Sequence, residues 1–310
     1  MFEISRTVVS MSTAGLLVLA AGVIASSGRP APELASKLPA GALAGRAIAL
    51  GRVFVAAPLA AFGALHLAAA KGMTEMVPTY MPWPLFWVYL VGFALIATAL
   101  SLIFDRLVLW SGLLAGCMFM AFVAMMDLPG LIAAQHNRFA FTLLARETTF
   151  GCALLALAGS VAPQASSWAR LVTPCRIVFA VVAIFYGVEH FLHPEFLPGV
   201  PLEKLTPAWV PVPRAWGYAV GTVLLVSGAL LLLNRWASDA AAWLGIVLAA
   251  TVAILYVPML GPAHGTAEVV EAIDYIGDTL LYAGTALLVA EALRRREIEN
   301  ARPAPVSETG

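Results

Sequence analysis

Residues 78–104 read PTYMPWPLFWVYLVGFALIATALSLIF, and the fold turns on this stretch. Its second part, 85–104, is an apolar run without a charge. It has the length of a bilayer-spanning helix, about 20 residues. Its first part carries Pro78, Pro82 and Pro84, which cannot continue a helix and favour extended backbone. Tyr80, Trp83, Trp87 and Tyr89 suit the aromatic belt of a membrane interface. The segment is therefore expected to lie on or dip into that interface and to enter the membrane at Trp87.

Eight further apolar runs flank it, giving 7–27, 47–70, 85–104, 107–126, 140–161, 172–193, 215–234, 237–257 and 269–292. They are too long and too uniformly apolar for barrel strands, so helices are expected. Composition agrees: 61% of the 310 residues are hydrophobic, 12% are charged, and the mean hydropathy is +0.88. A soluble globule has no interior large enough for that much apolar surface. Eighteen basic residues balance eighteen acidic ones, which excludes the electrostatic footprint of a nucleic-acid binder. The predicted class is an all-α polytopic membrane protein with about nine transmembrane helices. Its first partner is the lipid bilayer.

Numbering the ends alternately puts Arg29, Lys37, Arg46, Arg106, Arg170, Arg235, Arg294, Arg295, Arg296 and Arg302 on one side. Arg6, Lys71, Arg138, Lys204 and Arg214 fall on the other. The richer side is expected in the cytoplasm, with the N-terminus outside, the C-terminus inside, and the cell inner membrane as location. The first run has no net positive flank, so it reads as a retained helix and not as an export signal. The last residues, RRREIENARPAPVSETG from Arg294, read as a disordered cytoplasmic tail, 293–310.

The chain also resembles itself. Pro78–Gly92 aligns with Pro207–Gly221 (PAWVPVPRAWGYAVG) at seven of fifteen positions. The same offset superposes Arg106 on Arg235, Gly116 on Gly245 and Pro129 on Pro258. Upstream, Arg52, Gly63 and His66 match Arg176, Gly187 and His190 at identical internal spacing. Each copy spans four runs, an even number, so the copies face the same way: a parallel repeat. The expected organisation is an N-terminal helix and loop (1–46), a first four-helix bundle (47–161), a linker around Val161–Arg170, a second bundle (171–292), and the tail.

Ionisable residues inside apolar runs mark the candidate chemistry, because they are costly there and face a bundle interior or a wet cavity. Arg146 and Glu147 are two. Glu268, Glu271, Asp274 and Asp278 recur at intervals of three, three and four, the spacing of one helical face. Asp278, the deepest, must pair with a cation or take up a proton. His190, His264 and Arg146 are its candidate partners. Around Gly187–Glu195, the pairs Glu189/His193 and His190/His193 have spacings that would place two ligands on one metal. His66, His136, His190, His193 and His264 all fall towards the outer side. No HExxH or CxxCH motif supports a metal or haem there. Arg52 and Arg176, near the cytoplasmic ends, read as snorkelling groups or anion contacts. Cys117, Cys152 and Cys175 lie in apolar runs without a CxxC and read as small buried hydrophobes.

With these residues in place, Arg-x10-Gly-x2-His followed by a proline-rich segment and Tyr-x2-Gly resembles the DoxX-like family of small membrane proteins. Both copies carry it, Arg52 to Gly92 and Arg176 to Gly221. The resemblance implies a four-helix unit, here in tandem, and relatives that act as membrane subunits of quinone-linked oxidoreductases or as maturation proteins. Many relatives carry a Glu three residues after the helix-two Gly; here Leu95 and Leu224 stand there.

Three functions follow. The first is a non-catalytic inner-membrane subunit, scaffold or assembly partner, in keeping with the absence of a P-loop, GxGxxG, GxSxG or kinase motif. The second is a quinone-linked redox subunit that works with a soluble redox partner or another membrane subunit. The third is a proton-coupled small-solute transporter that uses the acidic stripe of the last helix.

Overall fold

A computed structural model describes residues 2–27, 39–134, 137–263 and 265–301, with side chains except those of 2–5 and 39–42. Among the described residues, nine helices are long and apolar enough to cross a membrane. They are α1 (Phe2–Ser27), α2 (Pro39–Ala68), α3 (Pro84–Phe104), α4 (Val108–Phe122), α5 (Arg138–Val161), α6 (Val172–Leu192), α7 (Pro213–Leu232), α8 (Ala237–Thr251) and α9 (Thr266–Ala301). A π-helical turn prolongs α4 (Val123–Asp127) and another prolongs α8 (Val252–Tyr256). The described residues form no strand, only an isolated bridge between Phe196 and Leu205. The all-α polytopic architecture expected from hydropathy is present.

Helix ends follow local chemistry. Helices α3 and α7 begin at Pro84 and Pro213 themselves, earlier than the expected entry at Trp87 and Trp216. A proline in the first turn lacks only an N–H that would have no partner there. Trp83 and Val212 precede them in the left-handed region, at φ 54° and 46°. Asp105 and Asn234, and Leu107 and Trp236, also have positive φ. Each of these pairs, like the two π-helical turns, is separated by 129 residues.

Helix α9 does not stop at 292. It continues to Ala301, so residues 293–301 of the expected tail are helical, while 302–310 lie outside the described residues. Ion pairs hold this extension. Arg294 reaches Asp239 of α8 at 2.5 Å, and Arg295 pairs with Glu291 one turn back at 2.9 Å. Likewise α2 starts at Pro39, inside the expected 28–46 loop.

The helices neighbour one another in chain order, from α2 through α9, and α9 returns to pack on α2. Among the described residues α2 makes no close approach to α5; α9 fills that place, and α5 packs on α6 and on α9. The two halves thus interlock through their fourth helices. Backbone proximity explains the choice. A Cβ on Gly284 of α9 would stand 2.7 Å from the backbone of Phe54 and Val55 of α2. Small residues let helices approach closely in lipid, where apolarity alone drives no association. Helix α9 is the most enclosed span, 83% buried in its apolar window, and α1 the least, at 11%. Cys152 and Cys175 are buried as expected, but Cys117 is exposed.

Candidate functional site

The interlock brings α5, α9 and the turn after α4 together, and their ionisable side chains converge. Helix α5 contributes Arg146 and Glu147, α9 contributes Asp274 and Asp278, and the first π-helical turn ends on Asp127. Arg146 donates from Nη1 to Asp278 Oδ2, and from Nη2 to Glu147 Oε1 at 2.9 Å. Asp127 lies within Coulombic range of Arg146 and Glu147, and Asp274 within range of Arg146 and Asp278. One guanidinium faces four carboxyl groups.

The hydrogen bonding is incomplete. Asp127 Oδ2, Glu147 Oε2, Asp274 Oδ1 and Arg146 Nε are buried and have no partner among the described residues. Unpaired polar atoms in an apolar interior are expensive. Two like charges 4 Å apart repel by about 4 kcal/mol at an effective dielectric of about 20. Four ionised carboxylates around one cation would therefore repel strongly, and a proton or a second cation relieves them. The side chains of Arg146, Glu147 and Asp278 keep 14–17% exposure.

Tyrosines floor the cluster. Tyr186 of α6 donates to the Thr142 carbonyl at 2.5 Å, one turn before Arg146. Its ring meets Tyr282 of α9 edge-on at 5.6 Å. The Tyr282 hydroxyl faces that of Thr149 but falls short of hydrogen-bond geometry.

The histidines do not join this cluster. His190 is fully buried, and both its ring nitrogens are used. Nδ1 donates to the Tyr186 carbonyl at 2.6 Å, and Nε2 accepts the Gly199 N–H at 3.1 Å. These two bonds fix one neutral tautomer and leave no lone pair for a metal or a haem iron. His66 bonds the Phe62 carbonyl at 2.8 Å. His193 approaches Glu195 at 3.4 Å, while Glu189 turns to Arg138 at 3.4 Å. The spacing that suggested two ligands on one metal is therefore not realised: Glu189 and His193 have separate partners. The other two expected members, His136 and His264, lie outside the described residues. The acidic stripe also splits. Asp274 and Asp278 turn into the cluster, whereas Glu271 pairs with Lys204 at 2.6 Å and is 48% exposed.

His190 anchors the second proline-rich connector. Gly199 packs so closely that a Cβ would stand 2.8 Å from Thr279 Oγ1. Val200 exchanges hydrogen bonds with Thr279, donating at 3.3 Å and accepting at 3.0 Å. Leu197, Val200, Leu202 and Val210 are buried. The second connector is thus packed into the protein, whereas Tyr80 and Trp83 of the first are 68% and 76% exposed.

At the other end of α9, Arg52, read as a snorkelling group or an anion contact, is held by carboxylates of this chain. Glu291 takes it in a fork, Nε to Oε2 at 3.1 Å and Nη2 to Oε1 at 2.6 Å, and Asp105 takes Nη1. With Arg295 on Glu291, two arginines balance two carboxylates. Arg176 keeps no carboxylate and donates to the Leu231 carbonyl at 2.5 Å. Leu95 and Leu224 are buried in the apolar core.

Sequence reading missed Asp127, Glu291 and Asp105. Asp127 had a visible signal: an acid closing an apolar run, as in the Arg146–Glu147 pair. Glu291 had a weaker one, because the arginines after it masked its place in the span. No protein family, curated protein or solved structure matches this chain.

Proposed function

We propose that this multi-pass membrane protein is of the DoxX-like type and binds and releases protons at the Arg146–Asp278 cluster, coupling them to passage of a small solute. The observation that carries the reading is the imbalance among the described residues: four carboxyls, one arginine, and three carboxylate oxygens without a partner. Ion pairs that only fasten helices are balanced, as the Arg52, Arg295, Asp105 and Glu291 group is. A scaffold gains nothing from surplus buried carboxyls, whereas a proton carrier requires groups that are stable in both charge states. The cluster spans both halves of the duplicated chain, at the junction where transporter repeats place their sites. The quinone-linked reading draws on the aromatic, Arg and His positions, and of these Arg52 and His190 have their hydrogen bonds committed within the chain. The positive-charge bias of the loops supports an inner-membrane location with the N-terminus outside and the cluster towards the outer side.

The test is infrared difference spectroscopy of the protein in lipid during a pH titration. A carboxylic-acid C=O band that titrates in the wild type and is lost in Asp278→Asn supports proton binding at this site. In energised vesicles, a panel of radiolabelled carboxylates, amines and sugars should contain at least one solute taken up by the wild type only. A wild type with no titrating carboxyl band sinks the proposal.

A further inference from the structure

Several arginines at the Arg52 end of the molecule are matched by acids. Arg52 holds Asp105 and Glu291, Arg294 holds Asp239, and Arg295 holds Glu291. Arg176, at the corresponding place in the second copy, has a carbonyl instead. The residue 129 positions after Asp105 is Asn234, an amide without charge. Arg176 borders a cavity of about 520 Å³ whose wall also includes Arg170, Arg296, Asn234, Trp236 and Gln164. Among the described residues, Glu297 is the only acid in that wall. It is already engaged, accepting from Ser238 Oγ at 2.8 and 3.0 Å and facing Arg294 at 3.6 Å.

Three guanidinium groups thus share one cavity without a free counter-charge among the described residues. Arg296 donates Nη2 to the Ala169 carbonyl, and its Nε is buried with no partner among the described residues. Arg170 is exposed and has no ion pair among the described residues. Guanidinium forks match the oxygens of a phosphate, and side-chain amides add neutral donors. The mouth carries Trp236, 69% exposed, with Trp168 nearby in sequence to Arg170 and 45% exposed. Exposed tryptophans at a helix end sit at headgroup level. Basic pockets between transmembrane helices take phosphate-bearing headgroups, and the volume lies in the range of small-ligand sites.

We infer that this cavity binds a phosphate group, presented by an anionic phospholipid headgroup or by a soluble phosphate. The inference is independent of the proton cluster, which lies at another level of α9: Asp278 and Glu291 are 13 residues apart, roughly 20 Å along the helix.

The experiment is native mass spectrometry of the full chain in mild detergent with phosphatidylglycerol or phosphatidylcholine added, alongside thermal unfolding with inorganic phosphate. The variants are Arg170→Gln/Arg296→Gln and Arg176→Gln, with Arg235→Gln as a control outside the cavity wall. For a lipid source, the wild type retains phosphatidylglycerol in preference to phosphatidylcholine. The double variant then loses roughly tenfold or more in apparent affinity, as for lost charge-assisted hydrogen bonds, while Arg235→Gln does not. For a soluble source, inorganic phosphate raises the unfolding temperature and displaces the lipid, and the same variants abolish both effects. If the buried Arg176→Gln fails to fold, the double variant and the exposed Arg170→Gln alone still give the answer. The inference is overturned if the wild type prefers neither phosphatidylglycerol nor phosphate, or if the preference survives all the cavity substitutions.

Discussion

Replacing Arg146 with methionine removes the only cation of the α5–α9 cluster among the described residues and keeps an unbranched apolar side chain in its place. Two carboxyls lose their contact at once, Asp278 and Glu147. Removing one partner of a buried pair costs about 3–5 kcal/mol. The cost has a ceiling, because an abandoned carboxylate can take up a proton. At about pH 7, protonating an ordinary carboxyl costs about 4 kcal/mol, and each unit of acidification lowers that cost by about 1.4 kcal/mol. The expected loss for Arg146→Met is therefore about 3–5 kcal/mol near neutrality, shrinking by about 2–3 kcal/mol near pH 5. A second change, Asp278→Asn, removes one abandoned charge. The double variant should be less destabilised than Arg146→Met alone, with a coupling of about 1–3 kcal/mol. Unfolding in mixed detergent micelles with added dodecyl sulfate, followed by tryptophan fluorescence, gives each value. The reasoning is refuted if Arg146→Met costs under about 1 kcal/mol near neutrality. It is also refuted if acidification does not narrow the gap, or if Asp278→Asn adds its own full penalty.

Asp127→Asn removes surplus negative charge from the same cluster. It should leave stability unchanged or raise it by about 1 kcal/mol, read in the same unfolding assay, and a clear loss would mean that Asp127 has a partner. Gly284→Leu forces a side chain against the α2 backbone and should cost about 1–3 kcal/mol or more; separation of α2 from α9 can be followed by cysteine cross-linking between them. His190→Ala leaves the Gly199 N–H unpaired, an expected loss of about 1–3 kcal/mol. Limited proteolysis should then cut within 196–206, where the wild type resists.

Hydropathy along the chain was enough to place all nine spans, because in lipid a helix satisfies its own backbone and needs no partner to be chosen. The same locality made the helix starts legible in part: the prolines marked the entry region, although the helices begin at Pro84 and Pro213 and not at the tryptophans three residues on. Arg146 could be named as a partner for Asp278 because few cations lie inside apolar runs, and a buried carboxylate has few choices.

Partner choice beyond that required the tertiary structure. Apart from the ionisable positions of α5 and α9, these helices are apolar on nearly every side, so periodicity does not separate the face towards protein from the face towards lipid. Arg52 has no nearby acid on its own helix; Glu291 reaches it from 239 residues away. Asp127 gains its meaning only beside Arg146, and Arg294 and Arg295 read as tail until Asp239 and Glu291 hold them in α9. His190 read as a candidate ligand because its backbone partners at Tyr186 and Gly199 cannot be seen in a string of side chains. The sequence by itself determined how many helices cross and roughly where. Close backbone approach at Gly284 and long-range charge pairing decided which of them touch, and so gathered Arg146, Glu147, Asp127, Asp274 and Asp278 into one place.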